Sequence, residues 1–255
     1  MSPRPGSRFM LREPLLGVDL AAFARLPRYL DDFAPRLRTL QAAGCQAVIL
    51  PWPGAPDDES VLVRNDASCQ AVALVGGIAG IGGALDAAFA WNAKFVVVDS
   101  PEIALVDDDA VVSEFSNRLA SAVPLASARG IQILIRNRPG DTVGESGGCR
   151  LARLLGTSLS AGYCLDVYAL WGDGTEWDLF VAERSTMIFL VEFRDEWDGV
   201  PVALGTGDLP FLEFTATLDR ISALHGIHFT ASRCGSNSLE MAIASLGSID
   251  DAVDR

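Results

Sequence analysis

The stretch Lys94-Phe-Val-Val-Val-Asp-Ser100 carries the strongest fold signal in the chain. Its four consecutive apolar residues, Phe95 to Val98, predict a strand that is buried on both faces, because a half-exposed strand would alternate apolar and polar side chains. Strands buried on both faces are typical of parallel sheets covered by helices. The stretch therefore predicts an α/β fold.

Similar short apolar runs recur along the chain, and helix-length amphipathic runs separate them. We predict strands at Pro14–Leu20, Gln46–Pro51, Gln70–Gly76, Lys94–Ser100, Ile131–Asn137, Ala161–Tyr168, Met187–Asp195 and Ile227–Ser232. We predict helices at Pro27–Ala43, Gly80–Asn92, Asp107–Arg129, Glu145–Gly156, Thr175–Glu183, Pro210–His225 and Ser238–Val253, with a loop at Ala55–Ser68. This order predicts one α/β domain over residues 1–255, a single closed (β/α)8 barrel.

An open, doubly wound sheet is the alternative architecture. It would place a glycine-rich dinucleotide fingerprint after the first strand, but Leu16-Gly-Val-Asp-Leu20 has one glycine. The later run Gly80-Ile-Gly-Gly-Ala-Leu85 lacks the last glycine or alanine of G-x-G-x-x-G. The barrel is therefore favoured.

The charge balance and the rare residue types exclude several classes of function. The net charge of −13 argues against binding to nucleic acid, whose phosphates would be repelled. Lys94 is the only lysine and precedes its strand, which argues against a Schiff-base enzyme. The only histidines, His225 and His228, lie before or early in the eighth predicted strand, so a histidine-rich metal cluster or a Ser-His-Asp triad is not expected. We expect His228 to be a packed core residue.

The cysteines and the N-terminal residues indicate the compartment. Five widely spaced cysteines without a C-x-x-C pair predict reduced core thiols without a base partner, in a cytoplasmic protein. Residues 1–9 lack the apolar segment of a signal peptide. Residues 67–85 are uncharged but contain five glycines, so we expect no membrane span. A homo-oligomer remains possible.

In a (β/α)8 barrel the functional residues lie at the carboxyl ends of the strands, which form the mouth. We expect two carboxylates there, Asp166 and Glu192, to be the acid and base of any proton transfer. Ligand-binding side chains are expected from the other polar and aromatic residues at or just past the strand ends. These are Trp52, Asp99, Arg136, Arg138, Tyr168, Trp171, Arg194, Asp208 and Arg233.

Each of these residues also has a purely structural interpretation. The aromatic residues Trp52, Tyr168 and Trp171 would either stack on a sugar or pack within loops. Arg138, Arg194 and Arg233 would form a cationic rim for phosphate or carboxylate, or be solvated surface side chains. Asp208 would face the ligand or cap the next helix.

Four segments together resemble a known family. They are Ile135-Arg-Asn-Arg-Pro-Gly140, Gly162-Tyr-Cys-Leu-Asp-Val-Tyr-Ala-Leu170, Val191-Glu-Phe-Arg-Asp195 and Gly205-Thr-Gly-Asp208. The chain is similar in these segments to the sugar phosphate isomerase/epimerase family of xylose isomerase-like TIM barrels. The resemblance implies a barrel whose mouth holds Mn²⁺ or Mg²⁺ between a glutamate, an aspartate, a histidine and a glutamate that follow the fifth to eighth strands.

This chain departs from that ligand set. Asp166 matches the family's aspartate, but Arg136 stands in the place of the first glutamate and Glu192 in the place of the histidine. The last glutamate falls at Ala231 or Ser232. We therefore expect no metal, with the Arg136 guanidinium in the place of the cation between Asp166 and Glu192. Arg136 would either complete a structural ion-pair network or also bind an anionic ligand.

Three functional hypotheses follow. The favoured one is a metal-free, non-catalytic barrel that binds a small polyhydroxylated or anionic ligand. The second is an active isomerase, epimerase or lyase for a sugar or hydroxy-keto acid, using Asp166 and Glu192 with Arg136 as electrostatic stabiliser. The third is an isomerase with Mn²⁺ or Mg²⁺ on rearranged ligands such as Asp99, Asp166 and Glu192.

Overall fold

A computed structural model describes residues 15–19, 29–52, 70–75, 77–101, 109–143, 149–156, 160–230 and 238–253. Eight parallel strands pair in chain order and close into a barrel, which confirms the predicted fold. In chain order, the strands are β1 (Leu15–Asp19), β2 (Ala47–Trp52), β3 (Gln70–Val75), β4 (Phe95–Asp99), β5 (Gln132–Arg136), β6 (Gly162–Asp166), β7 (Ile188–Phe193), β8 (Asp195–Trp197), β9 (Val200–Val202) and β10 (Gly226–Thr230). The short β8 and β9 form a separate hairpin, and β10 is the strand that pairs with both β7 and β1.

Eight α-helices within the described residues lie between or after the barrel strands. They are α1 (Tyr29–Ala42), α2 (Ile81–Ala90), α3 (Asp109–Ala128), α4 (Arg150–Leu155), α5 (Val167–Gly172), α6 (Trp177–Arg184), α7 (Phe211–Thr215) and α8 (Ser238–Val253). Within the described part of the chain, no helix has the length and apolar character needed to cross a membrane. The predicted loop at 55–68 and the start of the helix predicted at 145 lie outside the described residues, and the extent of the domain over residues 1–255 stays a prediction.

The core has two layers, and strand alternation explains them. Phe95 and Val97 point into the barrel, where they join an inner cluster with Leu134 and Leu190. Val96 and Val98 belong to the outer core. Both faces of β4 are therefore buried, which is why its sequence is continuously apolar.

The seventh strand is shorter than predicted. β7 ends at Phe193, and the chain then forms the β8–β9 hairpin, so the prediction of one strand to Asp195 is wrong in its last residues. The hairpin turns at Asp198 and Gly199, whose φ angles of 52° and 71° suit a type I′ turn. Asp-Gly is a strong signal for this turn, so the hairpin could have been recognised in the sequence.

One more strand prediction and one helix prediction also need correction. The strand predicted to reach Tyr168 ends at Asp166, because the Asp166 carboxylate accepts a hydrogen bond from the Ala169 N–H at 3.0 Å and caps α5. The helix predicted at Pro210–His225 is only the short α7 and a 3-10 turn at 218–220. Phe211 packs its ring against Phe193 of β7 at 5.1 Å between centroids, so tertiary packing of this segment overrides its helical pattern.

Gly162 gives a test of barrel packing. A Cβ at this position would lie 2.5 Å from the Phe189 ring and 2.9 Å from the Met187 carbonyl oxygen. We expect Gly162→Ala to lower the free energy of unfolding by about 1–3 kcal/mol, since the added methyl group overpacks the inner face. Gly172→Ala is the control, because a Cβ there meets nothing within 4 Å. Urea unfolding measures both variants, and equal midpoints would contradict this packing.

Candidate functional site

The strand register brings five polar side chains together at the carboxyl end of the barrel. Asp99 pairs with Arg136 across β4 and β5, and Asp166 pairs with Glu192 across β6 and β7. Glu192 in turn pairs with His228 on β10. Alternation places these residues on the same face as the inner apolar cluster. The expected mouth therefore contains both predicted carboxylates and the predicted arginine.

Arg136 bridges two carboxylates. Its Nε lies 2.7 Å from Asp99 Oδ1, and its terminal nitrogen lies 3.1 Å from Glu192 Oε2. Both interactions are sheltered, since the side chain of Arg136 is 16% exposed and that of Glu192 is 1% exposed. Arg138 adds a second guanidinium at 3.3 Å from Asp99 Oδ2. An ion-pair network therefore forms around Arg136 and includes Glu192 as predicted, whereas the second contact, predicted for Asp166, is made by Asp99.

Glu192 receives hydrogen bonds on both of its oxygens. The Cys164 thiol donates to Oε1 at 3.1 Å, and the Thr230 hydroxyl donates to Oε2 at 3.1 Å beside the Arg136 nitrogen. The expectation that the cysteines have no acid–base partner is therefore wrong for Cys164. Three donors, from Arg136, Cys164 and Thr230, therefore surround one buried carboxylate.

Asp166 forms a separate ion pair with Arg194. Arg194 Nε lies 3.0 Å from Asp166 Oδ2, and a terminal nitrogen of the same guanidinium lies 3.0 Å from Glu196 Oε1. Burial raises the pKa of Asp166 above its ordinary value, while Arg194 and the Ala169 N–H act to lower it. The nearby charge of Glu192 raises this pKa further. Asp166 and Glu192 thus sit in different environments on adjacent strands.

The aromatic residues Tyr168 and Trp171 lie on α5, next to the ion pair of Asp166 and Arg194. Tyr168 and Trp171 make an edge-to-face contact at 5.4 Å between ring centroids. The Arg194 guanidinium lies over the Tyr168 ring at 4.6 Å, so this face of Tyr168 is covered by protein. Burial and the neighbouring carboxylates, Glu196 first among them, raise the pKa of Tyr168. Both residues remain partly exposed, as a ligand-contacting edge requires.

Asp195 organises the turn that contains Asp208. Its buried carboxylate accepts four backbone hydrogen bonds at 2.9 to 3.0 Å, from the N–H groups of Glu196, Gly205, Gly207 and Leu209. Asp208 itself is exposed, and its N–H donates to the Glu196 carbonyl at 2.8 Å. The N-cap of α7 is Pro210, so the interpretation of Asp208 as a helix cap is wrong.

Two predicted ligand-binding residues cannot be placed. Trp52 is the last residue of β2, but its side chain is outside the described part of the structure, and Arg233 lies wholly outside it. Sequence reasoning missed Thr230, Cys164 and Asn137 as members of the site. Alternation along β6 could have indicated Cys164, which precedes Asp166 by two residues and shares its face.

His228 is buried at 1% exposure, which confirms the expected core histidine. Its Nδ1 has no hydrogen-bond partner among the described residues. Burial lowers its pKa to about 4, against the opposing effect of Glu192. The imidazole is therefore uncharged at neutral pH and fills space beside Gly226, where a Cβ would lie 2.8 Å from its Nε2.

The residues present do not fit the divalent metal that the family resemblance implies. Over the described ranges, no three His, Cys, Asp or Glu side chains are grouped to hold an ion. Arg136 places a positive charge against Asp99 and Glu192, and Glu192 is occupied by donors on both oxygens. A metal ion would have to displace these donors and approach a fixed cation.

The fold matches solved structures over nearly its whole length. No family model and no curated protein match the sequence. An L-ribulose 3-epimerase structure has a TM-score of 0.75 at 12% identity, over 94% of this chain and 95% of that chain. A sugar phosphate isomerase/epimerase from Parabacteroides distasonis has a TM-score of 0.72 at 13% identity, over 92% of both chains.

A third match, the IolI protein with a bound zinc atom, has a TM-score of 0.66 at 13% identity, over 94% of this chain and 98% of that chain. At these identities the likeness concerns the fold. The chain has the fold of the xylose isomerase-like sugar phosphate isomerases and epimerases, and the resemblance inferred from the four segments is confirmed at that level.

The buried imidazole gives a prediction for pH dependence. The unfolded chain protonates His228 near pH 6.5, whereas the folded protein holds it neutral down to about pH 4. Lowering the pH through this window should therefore destabilise the fold, by on the order of 3 kcal/mol in total. Asp166 acts in the opposite direction, because its raised pKa lets the folded state keep a proton to higher pH. Comparison with His228→Leu by urea unfolding from pH 4 to 7 isolates the histidine, and parallel profiles would contradict the prediction.

Arg136 gives a prediction for stability. Arg136→Ala should lower the free energy of unfolding by about 2–5 kcal/mol, because Asp99 and Glu192 lose their shared counter-charge in a sheltered site. Arg220→Ala removes an exposed pair with Asp178 and should cost less than about 1 kcal/mol. Thermal and urea unfolding at pH 7 compare the two variants. If Arg136→Ala unfolds like wild type, this arginine does not neutralise the buried carboxylates.

Proposed function

We propose that this protein is a metal-independent member of the xylose isomerase-like barrels that binds a small polyhydroxylated or anionic ligand at its mouth without turning it over. The observation that carries the proposal is the Arg136 guanidinium, which lies between Asp99 and Glu192. A side chain thereby places one positive charge between these two carboxylates.

Electrostatic magnitudes support the absence of a metal. Unit charges about 4 Å apart interact by roughly 4 kcal/mol at an effective dielectric near 20, before desolvation is subtracted. The attraction between Arg136 and its two carboxylates offsets part of their burial. The same positive charge would repel an entering cation by a comparable or larger amount. Metal binding would therefore require the arginine to leave its site.

The rim of the mouth offers groups that recognise polyols and anions. The side chain of Arg138 is 30% exposed, and those of Arg194 and Asp166 are each 17% exposed. Guanidinium groups bind carboxylate or phosphate oxygens, and a carboxylate accepts hydrogen bonds from sugar hydroxyls. The edge formed by Tyr168 and Trp171 adds apolar surface for a sugar ring. One of the similar structures is named for the sugar L-ribulose, which makes that sugar a suitable probe.

The proposed location is the cytoplasm. Cys45, Cys149 and Cys164 are buried among the described residues, and the wide spacing of the five cysteines without a C-x-x-C pair is typical of an intracellular chain.

A second candidate function is metal-free proton transfer beside a carbonyl, as in epimerisation. The observation that favours it is the raised pKa of Asp166 next to the donor-rich Glu192. In such a reaction Glu192 would accept a proton from carbon and Asp166 would donate one, with Arg136 stabilising the negative charge that develops. The hydrogen bonds already made to Glu192 oppose this use, which is why binding is preferred.

Ligand binding and deuterium exchange separate these functions. We expect calorimetry to detect binding of L-ribulose or inorganic phosphate to wild type, and at least about tenfold weaker binding to Arg194→Ala, since a tenfold loss corresponds to one charge-assisted hydrogen bond. Arg220→Ala, which removes an exposed ion pair with Asp178, is the control and should bind like wild type.

When the wild-type protein is incubated with L-ribulose in D2O, the carbon-bound protons of the sugar should not exchange for deuterium, with or without Mn²⁺. NMR spectroscopy of the sugar measures this exchange. Exchange without metal that is lost in Asp166→Asn would establish the second candidate. Exchange that requires Mn²⁺ would overturn metal independence. Absence of binding to both probes would remove the support for a sugar-like or phosphate-like ligand.

A further inference from the structure

Asn137 lies immediately after β5 and makes two hydrogen bonds to the backbone of Asp166. Its Nδ2 donates to the Asp166 carbonyl at 3.0 Å, and its Oδ1 accepts from the Asp166 N–H at 2.7 Å. The side chain is buried at 1% exposure, so it does not itself offer a surface to a ligand. Asn137 therefore acts on the mouth only through Asp166 and its surroundings.

The amide replaces a missing part of the strand ladder. The paired register of β5 and β6 ends with Arg136 opposite Cys164. Beyond this pair the backbone that follows β5 turns away from β6. The turn is stabilised by Asp141, whose carboxylate accepts a hydrogen bond from the Arg138 N–H at 2.6 Å and whose own N–H donates to the Arg138 carbonyl at 3.1 Å. A side-chain amide carries the same donor and acceptor as a peptide group. The Asn137 side chain thus continues the hydrogen-bonded pairing of β5 and β6 as far as Asp166, beyond the last pair of the two backbones.

Asp166 needs this support because three structural roles meet in one residue. It ends β6, it caps α5 through the Ala169 N–H, and its carboxylate pairs with Arg194 in the mouth. Hydrogen bonds to its N–H and its C=O fix the peptide planes on both sides of its Cα. The direction of the Cα–Cβ bond, and with it the place of the carboxylate, then has little freedom.

We propose that Asn137 is a positioning residue, whose amide holds the backbone of Asp166 so that its carboxylate stands between the Ala169 N–H and Arg194 at the mouth. The importance of this position for a ligand rests on the function proposed above. The positioning itself depends only on the hydrogen bonds and can be tested without a ligand. Leucine has a similar size but neither hydrogen bond, while aspartate keeps the acceptor and loses the donor.

The test follows the Asp166 carboxyl by NMR in protein labelled with ¹³C-aspartate, with Asp166→Asn to assign the signal. We expect Asn137→Leu to shift the Asp166 titration midpoint by at least about half a pH unit, because the released carboxylate changes both its hydration and its contacts with Arg194 and the Ala169 N–H. Asn137→Asp should shift the midpoint upward, since it adds a like charge beside Asp166; this variant keeps the test available if the leucine variant does not fold.

Ser245→Ala is the matched control, because it removes another buried side chain that hydrogen-bonds a backbone N–H, that of Leu204. It should reduce stability and leave the Asp166 midpoint unchanged, so a merely structural loss cannot produce the expected shift. Midpoints within about 0.2 unit of wild type in both Asn137 variants would overturn the proposal. A shifted midpoint in a protein that binds neither L-ribulose nor phosphate would leave the positioning role intact and count against the proposed function alone.

Discussion

The mouth of this barrel depends on the neutralisation of Glu192, a carboxylate that is 1% exposed. An unpaired charge at such a position would be costly, because water cannot solvate it and the barrel interior beneath it is apolar. Arg136, at the end of β5, supplies the opposite charge and also binds Asp99. The thiol of Cys164 and the hydroxyl of Thr230 provide the remaining hydrogen bonds. Five strands, β4, β5, β6, β7 and β10, are thereby linked through one carboxylate and one guanidinium.

A second charged unit stands beside the first and organises the outer edge of the mouth. Arg194 joins Asp166 to Glu196 of the β8–β9 hairpin and covers one face of Tyr168. The carboxylate of the adjacent Asp195 accepts hydrogen bonds from backbone N–H groups of the turn around Asp208. These bonds hold that turn against the same hairpin. The two units differ in accessibility, since Asp166 is partly exposed and Glu192 is enclosed. Under the proposed function, a ligand would therefore contact Asp166 and Arg194 more readily than Glu192.

The overall path of the chain matches barrels named as sugar isomerases and epimerases, one of them with zinc. At the mouth, however, a guanidinium lies among the carboxylates, and a neutral core histidine lies below them. In this structure the Arg136 guanidinium balances part of the negative charge of Asp99 and Glu192.

The sequence by itself determined the barrel, because doubly buried strands have a distinctive apolar pattern, and alternation placed Arg136, Asp166 and Glu192 on one face at the strand ends. It also contained the Asp-Gly signal of the hairpin, which was overlooked. Only the tertiary structure decided the contacts. Arg136 reaches Asp99 because the register of β4 and β5 sets them opposite each other, and Arg194 takes Asp166 because the chain leaves β7 before the hairpin. Such choices depend on register and side-chain reach across strands that are distant in sequence, and local patterns contain no information about either.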